Sequence, residues 1–346
     1  MAPGEGFLAW RRRARKWRGR WERALERHVR PALLPPRVRH VAGPREVRYG
    51  EDEVLAISIV RNGAVHVRSF LEHHFGLGVR HVVLLDNGST DGTVDLARGY
   101  GNVTILRTDC PYGVYENVMK RYLARRFSRG RWNLCVDIDE RFDYPSSDVL
   151  PLPSFLAYLD RRGFTAVVAQ MLDMFPDGPI LEAGGGAAGL EERHRFYDIS
   201  SVGRLDYRWG LLSSPAVKEH RGGIRIAAFQ TNNCLSKAAL VRVDEEIELF
   251  VDWHHVANAR IADVTCLLLH YPFVETFRAK LEDAVSARRY GKWTPQYERY
   301  WRALRENPGL SFMGPAAREL TGTRELVEQG FLVVSEDFQR WVAEHD

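Results

Sequence analysis

The sequence predicts an α/β protein in which helices flank a mostly parallel sheet. Continuous apolar runs of strand length alternate with segments of helical periodicity, which is typical of parallel strands covered on both faces. Polar clusters follow several of the runs directly, where α/β proteins place their functional groups. At 346 residues the chain can bury one large core with an appendage, or two modest ones.

The first half of the predicted sheet comes from short apolar segments, of which Leu55 to Val60 is the clearest. After it, Val67, Phe70 and His74 recur at helical spacing. The predicted elements are strands over 55–60, 81–85, 103–106 and 132–136, a helix that ends at Gly76, and helices over 93–99 and 114–127.

The second half is less regular and ends in helices. Thr294 and Pro295 are a typical N-cap and first-turn proline. The predicted elements are strands over 164–170 and 264–269, a glycine-rich loop over 184–189, and helices over 276–290, 294–306 and 335–341. We therefore divide the chain into a basic N-terminal helix and linker (1–45), a main domain (46–275) and a C-terminal helical extension (276–346).

Positive charge is concentrated at the N-terminus. Residues 1–40 contain 12 Lys and Arg against 3 Asp and Glu, a surplus of +9, so the other residues sum to −5 of the net +4. Tryptophans at helical spacing within 8–30 predict a basic amphipathic helix suited to an anionic membrane surface. A solvated helix, or a disordered arm that docks on the acidic body, explains the pattern equally well. No nucleic-acid reading motif accompanies the charge, so nucleic acid is not an expected partner.

The four cysteines have no Cys-x-x-Cys spacing, and we interpret them as reduced core thiols. No run reaches the roughly 20 apolar residues that a bilayer span needs, and the N-terminus lacks an apolar signal-peptide centre. We expect a cytoplasmic protein, with peripheral attachment to the inner face of the membrane as the role of the basic helix.

Asp137 and Asp139 follow the apolar run that begins at Trp132. If the segment stays extended, alternate side chains share a face, so both carboxylates could reach one hard cation. Such oxygen ligands suit Mg²⁺ or Mn²⁺ bridged to phosphate. The alternative is a solvated acidic turn.

Two further polar clusters follow the first and second strands. Arg61 and Asn62 come after the first, and the second is followed by Asp86, Asn87, Ser89 and Asp91. Asp86 could accept hydrogen bonds from ribose hydroxyls or a base N–H, and the glycine-containing turn permits close backbone approach. Asn, Gly, Ser and Asp are also favoured in ordinary turns. Because the carboxyl ends of parallel strands meet, we expect these residues to converge with Asp137 and Asp139.

These blocks resemble a known family. The stretches Val60-Arg61-Asn62, Leu85-Asp86-Asn87-Gly88-Ser89-Thr90-Asp91-Gly92-Thr93 and Asp137-Ile138-Asp139-Glu140 are similar to successive motifs of the family 2 glycosyltransferases, in the branch close to family 92. The resemblance covers about 54–275. It implies a Rossmann-like GT-A fold, a nucleotide-sugar donor with Asp86 and its neighbours at the nucleoside, a divalent cation held by Asp137 and Asp139, and inversion at the anomeric carbon.

Two later residues gain meaning from this resemblance. His270 ends a buried strand, and a late histidine completes the metal shell in many such enzymes; a core or capping histidine is the alternative. Lys237 resembles a cation near the phosphates or the acceptor, and a surface charge at the start of a strand is the alternative. Mn²⁺ or Mg²⁺ is the expected cofactor.

The catalytic base is a carboxylate after Asp139 on the acceptor side. Asp173, Glu219 and Asp252 meet this condition. We assign the base to Asp252, because Trp253 and two histidines follow it. The family's usual Glu-Asp pair and Gln-x-x-Arg-Trp block are absent, so the acceptor stays open as a glycan, a lipid-linked or a small-molecule compound.

Three other functions compete. A sugar-nucleotidyltransferase would place a glycine-rich basic phosphate loop after the first strand, where Gly63 stands alone beside Arg61. A Rossmann oxidoreductase would carry Gly-x-Gly-x-x-Gly there. A non-catalytic membrane-surface scaffold or binding protein of the same fold is the third.

Overall fold

The structure is a computed structural model, and it describes residues 21–22, 24–182, 189–211, 214–288 and 294–345. Most of the predicted basic helix and most of the glycine-rich loop lie outside these ranges. The strands are β1 (Arg39–Ala42), β2 (Leu55–Val60), β3 (His81–Asp86), β4 (Val103–Arg107), β5 (Trp132–Cys135), β6 (Glu140–Asp143), β7 (Ala166–Asp173), β8 (Phe196–Tyr197), β9 (Val202–Asp206), β10 (Lys218–Gly222), β11 (Ser236–Arg242), β12 (Cys266–His270) and β13 (Arg318–Glu319).

The helices surround this framework, and the first follows a short π-helical segment, Leu25–Val29. They are α1 (Arg30–Leu33), α2 (Ala64–Gly76), α3 (Thr93–Arg98), α4 (Tyr112–Phe127), α5 (Leu152–Arg161), α6 (Leu190–Arg193), α7 (Ile224–Phe229), α8 (Phe277–Ser286), α9 (Thr294–Glu306), α10 (Thr323–Glu328) and α11 (Glu336–His345). Within the described ranges, no helix is both long enough and apolar enough to cross a bilayer.

Nine of these strands form one sheet in the order β1-β4-β3-β2-β5-β11-β7-β12-β6. Strands β1, β11 and β6 are antiparallel to their neighbours, and the other six run in one direction. The predicted α/β, Rossmann-like fold with a mostly parallel sheet flanked by helices is therefore confirmed.

Apolar residues cover both faces of the sheet, which explains the continuous runs. In β3, Val82 and Leu84 pack into one core cluster, whereas Val83 and Leu85 pack into another. All six residues of β3 are buried. An extended chain sends alternate side chains to opposite faces, so a strand covered on both sides contains apolar residues throughout.

Several observed elements differ from the predicted ones. The predicted strand over 132–136 ends at Cys135, and a turn separates it from the unpredicted edge strand β6. The helix α5 was not predicted. Strands β9 and β10 pair as an antiparallel hairpin that lies outside the main sheet. Their sequences are polar and partly exposed, so they lack the apolar signal of the other strands.

The edge strand β6 is closed by two histidines of α2. The backbone N–H of Phe142 donates to His74 Nε2 at 3.3 Å, and His73 Nε2 lies 2.6 Å from the Phe142 carbonyl oxygen. Nδ1 of His74 lies 2.7 Å from the Phe70 carbonyl oxygen, so it carries the proton and Nε2 is left to accept. Burial lowers the pKa of both imidazoles, which therefore stay neutral.

Arg141 joins β6 to its surroundings and is wholly buried. Its guanidinium donates to the Ile138 carbonyl at 3.1 Å and to Glu191 at 3.2 Å. The same group lies over the rings of Phe70 and Tyr271. A single cation thus satisfies groups from a turn, a strand and α6.

Replacing Arg141 by Met should lower the free energy of unfolding by about 3 kcal/mol, because carbonyl oxygens and a carboxylate lose their donor in a buried place. Urea denaturation measures this change. Arg340→Met is the matched control, since Arg340 is 70% exposed and pairs with Asp337 at the surface. It should cost less than about 1 kcal/mol, and equal losses in the two variants would contradict this role of Arg141.

Candidate functional site

A cleft of about 510 Å³ opens at the carboxyl ends of β2, β3 and β5. Its lining includes one residue after β2 (Arg61), two after β3 (Asn87 and Gly88) and two after β5 (Asp137 and Asp139). The predicted convergence of three polar clusters at one edge of the sheet is therefore confirmed, whereas the ligand of the cleft stays a prediction.

The loop after β2 is fastened to the loop after β3 through its backbone. The amide of Asn62 donates to Ser89 Oγ at 2.9 Å, and the amide of Gly63 donates to Thr93 Oγ1 at 2.8 Å. The next amide, at Ala64, donates to a carboxylate oxygen of Asp91 at 3.1 Å. Three consecutive N–H groups are thus satisfied within the protein, and side chains predicted to bind nucleotide hold the loops together.

Asp86 and Asn87 are also engaged inside the fold. Asp86 is wholly buried, accepts from the Ser89 amide at 2.9 Å and lies 3.4 Å from Arg107. The side-chain amide of Asn87 donates to the carbonyls of Thr108 (3.1 Å) and Cys110 (2.9 Å). These contacts set the shape of the loop after β3, and a direct contact between Asp86 and a nucleoside stays a prediction.

Arg61 fixes the part of this loop that reaches the cleft. Its Nη1 donates to the carbonyls of Asn87 (2.9 Å) and Gly88 (2.8 Å). Gly88 has φ +83°, and a Cβ added there would lie 2.9 Å from the Arg61 guanidinium. The glycine therefore permits both the left-handed backbone and the close approach of the arginine.

Asp137 and Asp139 do not share one extended face, which corrects the expected geometry. The amide of Glu140 donates to the Asp137 carbonyl at 2.9 Å, so residues 137–140 form a turn. Asp137 lies 3.1 Å from Lys237 Nζ and 3.8 Å from Lys120 Nζ. The turn points the two carboxylates at different partners.

Two buried lysines stabilise this turn. Lys237 Nζ donates to Glu140 at 2.7 Å, and both side chains are 1% exposed. Lys120 donates to Glu116 at 2.7 Å, and both are almost wholly buried. Burial alone would raise the pKa of Asp137, but the two ammonium groups outweigh it and lower that pKa, so the carboxylate is ionised. Lys237 therefore lies beside the predicted metal carboxylates and is not a surface charge.

Asp139 belongs to a different chain of polar groups. Its Oδ2 lies 3.0 Å from Lys280 Nζ and 3.7 Å from His270 Nε2. The other ring nitrogen of His270, Nδ1, lies 2.7 Å from Asp173 Oδ1, and Arg225 Nε donates to Asp173 at 2.7 Å. Burial lowers the pKa of His270, but its two carboxylate neighbours outweigh this effect and raise it.

The donor set of Asp139 and His270 fits a divalent cation. A carboxylate oxygen and an imidazole nitrogen are ligands that Mn²⁺ accepts. The 3.7 Å gap between them is too long for a hydrogen bond. Asp173 Oδ1 and Arg225 Nη2 each lie 2.7 Å from Nδ1 of His270, and these contacts direct Nε2 towards Asp139, as groups behind metal-binding histidines do. Asp137 faces lysines, so it does not complete a close set of three ligands with these two residues, and metal binding here stays a prediction.

The three candidates for the catalytic base lie outside the lining of the cleft. Asp173 is paired with Arg225 and His270, as described above. Glu219 accepts from Arg221 Nε at 2.7 Å. Asp252 accepts from the backbone amides of His254 (2.8 Å) and His255 (2.9 Å), although the next residue along, Trp253, does line the cleft. The assignment of the base to Asp252 stays a prediction.

Sequence reasoning missed three charged residues of the cleft region. Glu116 and Lys120 are four residues apart on α4, a spacing that ordinarily indicates an exposed helix pair. Lys280 of α8 contacts Asp139 from the C-terminal helices, and no local pattern distinguishes it. The sequence pattern of Glu116 and Lys120 therefore predicts a surface position, and no sequence pattern predicts the position of Lys280.

No family model and no curated protein matches the chain. Among solved structures, a 4-diphosphocytidyl-2C-methyl-D-erythritol synthase is 13% identical over 41% of this chain and 68% of that chain, with a TM-score of 0.24. A UTP-bound UGPase from Acinetobacter baumannii is 7% identical over 74% of this chain and 83% of that chain, with a TM-score of 0.25. Similarity at this level carries no argument about family or activity.

Lys237→Met should lower the free energy of unfolding by about 3–5 kcal/mol, because it leaves the Asp137 and Glu140 carboxylates without their shared cation. Urea denaturation measures the loss. Lys218→Met is the control, since Lys218 is 36% exposed and pairs with an exposed aspartate, Asp206. A Lys237 variant as stable as the Lys218 variant would show that the buried network contributes nothing to stability.

Proposed function

We propose that the chain is a metal-dependent glycosyltransferase that binds a nucleotide-sugar donor in the cleft. The observation that carries the proposal is the pairing of Asp139 with His270 at the carboxyl ends of the parallel strands. Arg61 and the loop from Asn87 to Gly88 border the same cleft. A divalent cation beside fixed loops can bind the diphosphate of a nucleotide sugar, and it stabilises the charge that the diphosphate gains as the leaving group.

Each part of the cleft has a proposed role. Asp139 and His270 would hold Mn²⁺ or Mg²⁺, with Asp173 orienting the imidazole. When bound, that cation would neutralise charge on the diphosphate leaving group. Arg61 holds the loop against which a nucleoside would lie. Lys280 contributes a second positive charge beside Asp139, and it would interact with phosphate oxygens.

One feature favours glycosyl transfer over the alternative, a sugar-nucleotidyltransferase. An enzyme that builds a nucleotide sugar needs backbone amides free to surround a triphosphate. Here the amides of Asn62, Gly63 and Ala64 are already bonded to side chains of the neighbouring loop. The loop after β2 therefore does not offer a phosphate cradle.

The test uses the full chain and a panel of nucleotide sugars, with release of nucleoside diphosphate as the measurement. We expect turnover with at least one donor, dependent on Mn²⁺ or Mg²⁺. Formation of a nucleotide sugar from a nucleoside triphosphate and a sugar 1-phosphate would overturn the proposal in favour of a nucleotidyltransferase. Binding of nucleotide diphosphates without any dependence on metal, and without turnover, would favour a scaffold.

Asp139→Asn should reduce donor turnover by about 10²-fold or more, because a metal at the leaving group contributes several kcal/mol. His270→Ala should raise the metal concentration needed for half-maximal activity. Asp95→Asn is the control, since Asp95 is 81% exposed on α3. Full activity of Asp139→Asn with unchanged metal dependence would remove the metal assignment.

The acceptor is a glycan, a lipid-linked compound or a small molecule, and its hydroxyl needs a base. If Asp252 is that base, Asp252→Asn should keep its affinity for the donor and for the Mn²⁺ or Mg²⁺ of the cleft, and lose transfer by about 10²- to 10⁴-fold. If transfer persists in Asp252→Asn and collapses in Glu219→Gln or Asp173→Asn, the base is one of those residues. Donor hydrolysis in the absence of acceptor serves as the internal reference.

We also propose that the N-terminal segment attaches the enzyme to an anionic membrane surface. Trp21, Leu25, Val29 and Leu33 recur at four-residue steps, and all four side chains are exposed. The surplus of +9 over residues 1–40 supplies complementary charge. An exposed apolar row within such a segment is suited to the headgroup layer.

Replacing these four residues by Ser should reduce cosedimentation with phosphatidylserine vesicles, and moderate salt should reduce wild-type binding too, because the charge contact is screened. A Leu205→Ser and Leu211→Ser double variant is the control, since these side chains are exposed elsewhere. Vesicle binding that is the same in both variants and in the wild type would contradict the attachment.

A further inference from the structure

Three side chains with different ligand atoms converge outside the lining of the cleft. They are Glu219 on β10, Cys234 just before β11, and His255 on the connection between β11 and β12. Their ligand atoms lie within 4.8 Å of one another. His255 Nε2 is 3.5 Å from Glu219 Oε2 and 4.0 Å from Cys234 Sγ. In the part of the chain that the structure describes, no other three His, Cys, Asp or Glu side chains bring their ligand atoms this close together.

Backbone pairing fixes the first two of these residues. Arg221 and Cys234 form an antiparallel bridge, and the Leu235 amide donates to the His220 carbonyl at 2.8 Å. These bonds hold β10 beside the segment that leads into β11. Glu219 and Cys234 therefore keep their separation without any contact between their own side chains.

The third residue, His255, is oriented by its own neighbours. Nδ1 lies 2.9 Å from both carboxylate oxygens of Asp252, so this nitrogen carries a proton that the carboxylate accepts. Trp209 stacks on the imidazole, with ring centroids 4.3 Å apart and planes 15° apart. Nε2 is consequently directed at Glu219 and Cys234, as it is in histidines whose other nitrogen is held by a carboxylate behind a metal.

Glu219 is prepared in a similar way. Arg221 holds its Oε1 at 2.7 Å, and the other oxygen, Oε2, faces His255. Glu219 and His255 are buried, and Cys234 is half-buried. The thiol of Cys234 donates weakly to the Ser236 carbonyl, with Sγ 3.3 Å from the oxygen.

We propose that Cys234, His255 and Glu219 form a Zn²⁺ site, with Asp252 as the carboxylate that positions His255. A thiolate, an imidazole and a carboxylate are zinc ligands, whereas Mg²⁺ and Mn²⁺ prefer oxygen. Tetrahedral zinc with ordinary bond lengths separates nitrogen from oxygen by roughly 3.4 Å and nitrogen from sulfur by roughly 3.6 Å. The observed 3.5 and 4.0 Å need only a small contraction.

Zinc binding requires that the Cys234 thiol loses its proton. Zinc forms a bond to Cys234 Sγ, and the thiol proton leaves to solvent. Three protein ligands leave a fourth position, which water fills in sites of this kind. Glu219 also lines a surface groove with Trp209 and Arg204, so this position is close to solvent.

The same residues could form a nucleophilic cysteine with His255 and Asp252, but Glu219 argues against it. A second carboxylate 3.5 Å from Nε2 competes with the thiol for that nitrogen. With zinc as the occupant, Glu219, Cys234 and His255 all have a partner.

The test measures zinc bound to the full chain after loading and dialysis, by inductively coupled plasma mass spectrometry. We expect one zinc that is lost in Cys234→Ser and in His255→Ala, and held about 10- to 100-fold more weakly in Asp252→Asn. Cys110→Ala removes a thiol elsewhere and should keep the zinc. Asp139→Asn should keep it too, which separates this site from the metal proposed for the cleft.

Measurements on the wild-type chain test the proposal even if the variants fail to fold. Co²⁺ in place of zinc should show a thiolate-to-metal charge-transfer band, and Cys234→Ser should lack it. Zinc should also slow the alkylation of Cys234 by iodoacetamide, and peptide mass spectrometry measures the rate of this alkylation. Wild-type protein that binds no more zinc than Cys234→Ser would overturn the proposal, as would fast alkylation of Cys234 that zinc does not slow.

Discussion

A buried carboxylate next to a half-buried one is stable only if cations lie beside them, and the wall of the cleft depends on this constraint. Asp137 and Glu140 belong to the turn after β5, and Lys237 of β11 pairs with both. Lys120 of α4 is a second cation near Asp137, and it also pairs with Glu116 of the same helix. Removing Lys237 or Lys120 leaves a buried carboxylate, Glu140 or Glu116, without its cation. The turn therefore requires that α4 and the antiparallel strand β11 are both in position.

The two proposed metal sites follow the same physical logic with different ligands. In each, a carboxylate holds Nδ1 of a histidine and leaves Nε2 facing other ligand atoms: Asp173 does so for His270, and Asp252 for His255. The first group ends in an oxygen ligand and suits a hard cation. The second contains sulfur and suits a softer one. The two proposals therefore differ in the class of metal that each site would select.

The six strands that run in one direction in the main sheet could be predicted from the sequence, because burial on both faces leaves a continuous apolar record, whereas the antiparallel strands β1, β6 and β11 were not predicted. Leu55–Val60 is observed as predicted, and the convergence of polar loops follows from parallel pairing. The hairpin of β9 and β10 could not be predicted, because polar residues predominate in it and β9 is largely exposed. The buried residues of β10 include Glu219 and His220, so their burial leaves no apolar pattern in the sequence.

The site was only partly predictable, for reasons of distance along the chain. Asp137 and Asp139 were found as a motif, but the turn that separates them is set by lysines far away in sequence. Cys234 was interpreted as a core thiol because no second cysteine stands near it; its candidate partners, Glu219 and His255, come from separate segments. Residues that come together only after folding have no fixed spacing in the sequence, so a sequence motif cannot predict that they form a site.

The two histidines on α2, His73 and His74, affect whether other protein chains can associate with the edge of the sheet. An edge strand offers unpaired N–H and C=O groups to any strand that approaches, and this is a common start of aggregation. At Phe142 both groups are already bonded to His74 and His73. A second chain would have to displace two neutral imidazoles, of which that of His74 is buried, before it could pair with Phe142. At this position the edge is protected against association by side chains instead of by charge repulsion.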